Sequence, residues 1–216
     1  MSVQAKICGI STLAAALQAL EAGAALLGFI HFAKSPRHVS LETMTELMQA
    51  IRDVSATSRL VSVVADPDDE TLEGLARMVK PDLIQLHGQE TPQRVASIRD
   101  RFNIRVIKAL SIGGAQDLVA AESFDSVADY LLFDAKPPKN AALPGGLGLR
   151  FDWTLLRGYS GQKPWFLAGG LTAENVAEAV QISCARYVDV SSGVESTPGV
   201  KDMGLISSFL QATKAL

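Results

Sequence analysis

Eight short runs rich in Val, Ile, Leu and Phe, separated by stretches of helical periodicity, constrain the fold of this chain more than any other feature. They read QAKIC, LLGFI, LVSVVA, DLIQLH, RVIKAL, DYLLFD, PWFLA and RYVDVS. Between them stand LAAALQALEAG, LETMTELMQAIRD, DDETLEGLARMVK, TPQRVASIRDRF and TAENVAEAVQIS, most of which end near Gly, Pro or a basic residue. Alternation of this kind predicts βαβ units and a parallel sheet, because parallel neighbours need a long crossover between them. Shared among eight units, the 216 residues leave about 27 each. That suits a compact (β/α)8 TIM barrel, somewhat below the ~250 residues typical of the fold. The expectation is an α/β protein with a single barrel domain over residues 1–216. A doubly wound open sheet would need no eighth strand, and no GxGxxG follows the first run. One connection, AKPPKNAALPGGLG after the sixth run, is long and rich in Pro and Gly, as binding loops are.

Composition removes several classes of function. The 20 Lys plus Arg and 23 Asp plus Glu give a net charge of −3, with no basic excess for nucleic acid and no basic helix for a membrane surface. No apolar run approaches the ~20 residues of a membrane span, and no leader pattern opens the chain, so a cytoplasmic protein is expected. Cys8 and Cys184 lie far apart without metal-pair spacing, and neither needs a disulfide. His31, His38 and His87 show no HxxxH spacing, so neither a metal nor any other cofactor is expected.

In a barrel the C-terminal strand ends carry the chemistry, and side chains alternate between the interior and the helix layer. Lys6 and Cys8 therefore share one face, as do Gln85 with His87 and Asp189 with Ser191, while Asp134 closes the sixth run. Each has two readings. Cys8 is either packing or a reactive thiol whose pKa the neighbouring Lys6 depresses. Asp134 is a cap or an acid, and Asp189 an organiser of nearby backbone or a site carboxylate. Lys108 is a charge at a strand end or, less simply, a Schiff-base lysine. Arg37 beside Pro36 belongs to a polar loop or forms a rigid clamp for a carboxylate. Cys184, in QISCARY, reads as a small buried hydrophobe.

The anion signal is sharper. LAGGLTAENV sets Gly169 and Gly170 directly after a strand, then Thr172 as the expected N-cap of a helix, so backbone N–H groups and a helix dipole can face one phosphate. VDVSSGVE offers Ser191, Ser192 and Gly193 in the next loop. The loops after strands seven and eight are the usual phosphate site of this fold.

KICGI, GFIHFAKSPRHVS, DLIQLHGQE, LLFDA followed by GGLGLRFDW, FLAGGLTAENV and YVDVSSGVESTPGVKD, in that order from residue 6 to about residue 202, resemble the phosphoribosylanthranilate isomerase family of tryptophan biosynthesis. The chain departs from the family in having Ala135, where Ser or Thr is usual, and a longer KPPKNAALP segment. The resemblance implies an Amadori rearrangement of N-(5-phospho-β-D-ribosyl)anthranilate to 1-(2-carboxyphenylamino)-1-deoxy-D-ribulose 5-phosphate. It implies Asp134 as the acid at the ring oxygen and Cys8 as the base at C2′. Lys6, Arg37, His87 and Asp189 would contact substrate, with Arg37 on the anthranilate carboxylate. Gly145, Gly146, Gly169, Gly170, Ser191, Ser192 and Gly193 would surround the phosphate. The implied partner is this small phosphosugar alone, and the enzyme a monomer or homodimer. An aldose-to-ketose shift needs one acid and one base and no redox group, which agrees with the residues.

Overall fold

The computed structural model describes residues 3–55, 57–138, 141 and 143–216. Its eight parallel strands are β1 (Gln4–Cys8), β2 (Leu26–Ile30), β3 (Arg59–Val64), β4 (Leu83–Leu86), β5 (Arg105–Ile112), β6 (Tyr130–Ala135), β7 (Trp165–Leu167) and β8 (Tyr187–Val190). They pair in sequence order, and β8 returns to β1 with Asp189 opposite Lys6, closing the barrel that the eight runs predict. These strands are buried on both faces, which is why they read as continuous apolar runs rather than alternating ones. Ile7, Leu27, Phe29, Ile84 and Phe133 face the helix layer, while Leu26, Val61, Leu83, Ile107, Leu132 and Phe166 fill the interior. At the N-terminal end Tyr130, Phe166 and Tyr187 stack with ring centroids 5.0–5.9 Å apart.

The helices start where capping side chains stop the preceding loop. Thr12 accepts from the Ala15 amide to open α1 (Leu13–Glu21), and Ser40 accepts from Thr43 to open α2 (Leu41–Val54). Met44, Met48 and Ile51 of α2 are fully buried, each contributing roughly 1.5–3 kcal/mol of apolar burial. DDETLEGLARMVK does not form one helix: α3 (Asp69–Gly74) passes into a π turn over Leu75–Val79, closed by Lys80 in the left-handed region. The junction is Gly74, where a Cβ would stand 2.7 Å from Leu41 Cδ1. Thr91 caps α4 (Pro92–Phe102), with Pro in its first turn and left-handed Asn103 at its end. α5 (Ala115–Ala121) follows β5, and among the described residues the crossover after β6 forms only a 3₁₀ stretch, Trp153–Gly158. Lys139, Asn140 and Ala142 of that long connection lie outside the described residues.

Two local expectations are corrected. The helix after β7, α6, runs over Val176–Ser183 with Asn175, not Thr172, at its N-cap. The Asn175 amide explains this, because Oδ1 accepts from Thr172 N at 2.9 Å and Nδ2 donates to Gly170 O at 3.0 Å, holding 170–175 as a turn. Cys184 is exposed rather than buried, since it takes the left-handed C-cap position of α6 with φ 60°. Beyond β8, an antiparallel hairpin of β9 (Glu195–Thr197) and β10 (Val200–Lys201) precedes α7 (Met203–Lys214), which Asp202 caps.

Candidate active site

A cleft of ≈ 770 Å³, counting the space open at its mouth, sits at the C-terminal ends of the strands. Every site residue that the family resemblance implies lines it except Lys6, which lies beneath as part of the floor. The volume falls within the range of small-molecule sites.

The floor is built where β1 meets β8. Lys6 Nζ donates to Asp189 Oδ1 at 2.8 Å, with Lys6 fully buried. Room for the thiol beside this ammonium comes from β2: at Gly28 a Cβ would stand 2.9 Å from Cys8 Sγ and 3.1 Å from Lys6 Nζ. Burial pushes the Cys8 thiol above its ordinary value, and the Asp189 charge adds to the shift while Lys6 opposes it. The expectation that Lys6 depresses the thiol is therefore corrected, because its attraction is real but outweighed. Burial alone would lower Lys6, yet Asp189 and Cys8 together hold it above the ordinary lysine range. The resting floor at neutral pH is a thiol beside a paired ammonium.

The acid side is built from β4 and β6. Asp134 Oδ1 accepts from the Ala135 amide at 2.8 Å, and Oδ2 lies 3.4 Å from His87 Nε2. His87 Nδ1 meets Gln85 Nε2 at 2.9 Å. A donating amide there makes Nδ1 the acceptor and leaves the ring proton on Nε2, facing Asp134. Gln85 Oε1 is buried without a partner among the described residues. Over this pair runs the loop after β6: a Cβ at Gly145 would lie 2.5 Å from Asp134 Oδ2 and 2.7 Å from His87 Nε2.

Gly145 and Gly146, which the resemblance implies on the phosphate side, line the same cleft with these side-chain neighbours. Gly145 covers the acid, and Gly146 accepts through its carbonyl from Arg37 Nη2 at 3.3 Å. It is Gly148, in the same run, that borders Ser192 and Gly170. Gly169 and Gly170 have φ of 88° and 62°, a backbone that glycine adopts without strain. Their amides have no hydrogen-bond partner among the described residues. Ser191, Ser192 and Gly193 line the same cleft, Ser191 just before the 3₁₀ turn Ser192–Val194 and the other two within it.

Arg37 is buried, and its Nε and Nη2 bond both oxygens of Glu195 at 2.7 and 2.8 Å. Lys108 stays out of the cleft, and the strand-end expectation is corrected: β5 runs on to Ile112, so Lys108 is a buried mid-strand charge that pairs with Glu90 at 2.7 Å and donates to Gly88 O at 2.8 Å. The sequence reading missed the apolar wall, where Ile30, Phe32, Val63, Leu143 and Pro144 meet. Ile30 and Val63 are last inward positions of their strands and could have been found by parity, whereas Phe32, Leu143 and Pro144 sit in loops with no such signal. No group of three or more His, Cys, Asp or Glu side chains gathers for a metal among the described residues.

Comparison with known proteins gives this cleft its relatives. Residues 5–212 match the family model of N-(5'phosphoribosyl)anthranilate (PRA) isomerase. The N-(5'-phosphoribosyl)anthranilate isomerase of Caulobacter sp. (strain K31) is 50% identical over 212 residues, covering 98% of this chain and 99% of that one. The crystal structure of phosphoribosyl anthranilate isomerase from Thermotoga maritima superposes with a TM-score of 0.87 at 33% identity, covering 99% of this chain and 100% of the other. A second such structure, in complex with reduced 1-(o-carboxyphenylamino)-1-deoxyribulose 5-phosphate, gives a TM-score of 0.85 at 32% identity with the same coverage.

Proposed function

Because the chain belongs to the N-(5'-phosphoribosyl)anthranilate isomerase family, we propose that Cys8 is the general base and Asp134 the general acid of its Amadori rearrangement in tryptophan biosynthesis. The observation that carries this assignment is their placement in one cleft, on strands separated by β7 and β8, where the other lining carboxylate among the described residues, Asp189, is held by buried Lys6. Asp134 gives its proton to the furanose oxygen and the C1′–O bond breaks, leaving an iminium at C1′. The Cys8 thiolate then takes the C2′ proton, and the electron pair moves to the C1′–C2′ bond as the iminium nitrogen is neutralised. Transfer of a proton to C1′ and loss of the 2′-hydroxyl proton complete the amino ketone. His87, with its Nε2 proton beside Asp134, steadies the acid, and Lys6 offsets the charge of the thiolate as it forms.

The two ends of the substrate match two different walls. Arg37 takes the anthranilate carboxylate, and the aromatic ring lies along Ile30, Phe32 and Val63, a wall suited to the carboxyphenylamino group held by the related complex. The phosphate lies on the free amides of Gly169 and Gly170 and on Ser191, Ser192 and Gly193, while Asp189 serves the sugar hydroxyls. Gly145 and Gly146 act as the cover over acid and arginine rather than as phosphate ligands. We further read the chain as one domain over 1–216, a cytoplasmic enzyme, monomer or homodimer, working without cofactor. No helix among the described residues is long and apolar enough to cross a membrane.

The test follows loss of phosphoribosylanthranilate by fluorescence after exhaustive chelation and dialysis. Full turnover is expected. Loss of activity that added divalent metal restores would end the cofactor-free mechanism.

A further inference from the structure

Outside the cleft, one carboxylate collects more hydrogen bonds than any acid, base or phosphate loop within it requires. Glu195 opens the β9–β10 hairpin with its side chain buried. Its Oε1 accepts from Arg37 Nε and from Lys201 Nζ, both at 2.7 Å, and its Oε2 accepts from Arg37 Nη2 at 2.8 Å and from the Gly199 amide at 3.2 Å. Lys201 also donates to Ser191 O at 2.9 Å and lies 3.3 Å from Ser191 Oγ. Arg37 and Ser191 line the cleft, and neither Glu195 nor Lys201 does.

We propose that Glu195 is the positioning residue that aims Arg37 at the substrate carboxylate, and that Lys201 ties this carboxylate end to the phosphate-side loop through Ser191. The proposal rests on the reading of Arg37 given above. Three of its features follow from geometry. A guanidinium held in a two-point fork has its plane and rotation fixed, so the remaining edge can point only one way. That edge carries Nη1, which has no hydrogen bond among the described residues and is the guanidinium nitrogen nearest the Gly146 position, at 2.8 Å from where a Cβ there would stand. The shaft is fixed as well, since a Cβ at Gly9 would lie 2.7 Å from Arg37 Cδ.

The charge count points the same way. Two buried cations share one carboxylate, so the triad carries one uncompensated positive charge beside a cleft whose substrate brings anions at both ends. Burial alone would raise the Glu195 carboxyl, but Arg37 and Lys201 outweigh burial and hold it below the ordinary range. The fork therefore stays ionised at neutral pH. Hairpin geometry makes the device local: Gly199, at φ 88°, turns the chain so that Glu195 and Lys201 meet across it.

The experiment compares two substrates, phosphoribosylanthranilate and N-(5-phosphoribosyl)aniline, which lacks the carboxylate. The reported quantity is the ratio of their kcat/KM values. A merely structural residue lowers both values together and leaves the ratio unmoved. Glu195→Gln is expected to lower the ratio roughly tenfold to a hundredfold, since a small misplacement of a binding group costs that much. Glu195→Asp, which keeps the charge but withdraws the fork, should lower it in the same direction if the Gln variant folds poorly. In an Arg37→Met background Glu195→Asp should change the ratio no further. Lys201→Met should weaken both substrates alike. If Arg37→Met abolishes the preference while both Glu195 variants retain it in full, Glu195 does not aim Arg37 and the proposal is overturned. If Arg37→Met itself leaves the ratio unchanged, Arg37 does not bind the carboxylate, and the underlying reading falls with the proposal.

Discussion

The barrel interior has two ends made by the same strands, each with a fully buried side chain, yet they are opposite in chemistry. At the lower end Phe166 is fully buried against Tyr130 and Tyr187. At the upper end Lys6 is fully buried too, with Asp189 and Cys8 beside it. Burial alone therefore does not tell a stabilising residue from a functional one. What differs is the requirement for partners: apolar rings gain by leaving water, whereas a buried ammonium is tolerated only because a carboxylate meets it, and such a pair adds little net stability. The lower end should hold the fold together, and the upper end should do the chemistry.

The sharpest break between the ends comes from Cys8→Ala and Asp134→Asn. Each removes a group that acts in the transition state, so kcat should fall by roughly 10² to 10⁴ with little change in KM. Thermal midpoints should stay close to wild type, because neither change opens a large cavity. Cys184→Ser, at the exposed end of α6, should leave both quantities unchanged. Near wild-type kcat in a folded Cys8→Ala enzyme would make the thiol mere packing.

The reverse experiment is Phe166→Ala. Truncating a fully buried ring should cost about 3–5 kcal/mol of stability, read by denaturant unfolding, while kcat per folded molecule stays near wild type. A large kcat loss with intact stability would erase the division between the two ends.

A smaller effect belongs to the rim of the upper end. At Gly170, with φ 62°, a Cβ would stand 2.7 Å from Arg150 Cγ and 2.8 Å from Gly148 O. Gly170→Val should raise KM by about tenfold, with a lesser fall in kcat, since phosphate binding energy also orients the reacting sugar. Wild-type KM in this variant would place the phosphate elsewhere.

The lower end and the strand count were legible because both depend on runs of apolar residues, whose alternation with helical segments survives any detail of packing. Inward parity also brought Lys6, Cys8 and His87 to one face before any coordinates. Legibility ended where partners come from afar. Lys6 meets Asp189 across the β1–β8 seam, 183 residues away, and that carboxylate is part of why the thiol rises rather than falls. Thr172 and Asn175 both have capping side chains, and only the turn at Gly170 decides between them. Cys184 sits in an apolar stretch, but its left-handed backbone turns it outward. The Glu195–Lys201 pair had a local signal, a Glu and a Lys flanking the Pro-Gly turn of ESTPGVK, that parity along the barrel strands does not reach.

The smallest expected effect tests the electrostatics of the upper end. Burial first, and Asp189 second, hold the Cys8 thiol above its ordinary 9.0, against the pull of Lys6. Because the base acts as thiolate, kcat/KM should rise with pH through a midpoint above 9.0. Asp189→Asn removes a negative charge that disfavours the thiolate, and leaves the Lys6 ammonium, with a smaller pull from Lys201, as the charges acting on the sulfur. The midpoint should therefore move to lower pH, whatever the variant does to the height of the curve. Stability runs in the matching sense. The fold favours the neutral thiol and the charged Lys6, so their contributions are present below the ordinary values of 9.0 and 10.5 and are lost as pH rises through the higher folded values. Alkaline unfolding should thus begin in that window, and Cys8→Ala should remove the thiol's part of it. A kcat/KM midpoint that stays fixed or moves upward in Asp189→Asn would mean that Asp189 does not set the thiol, and that the floor is organised by burial alone.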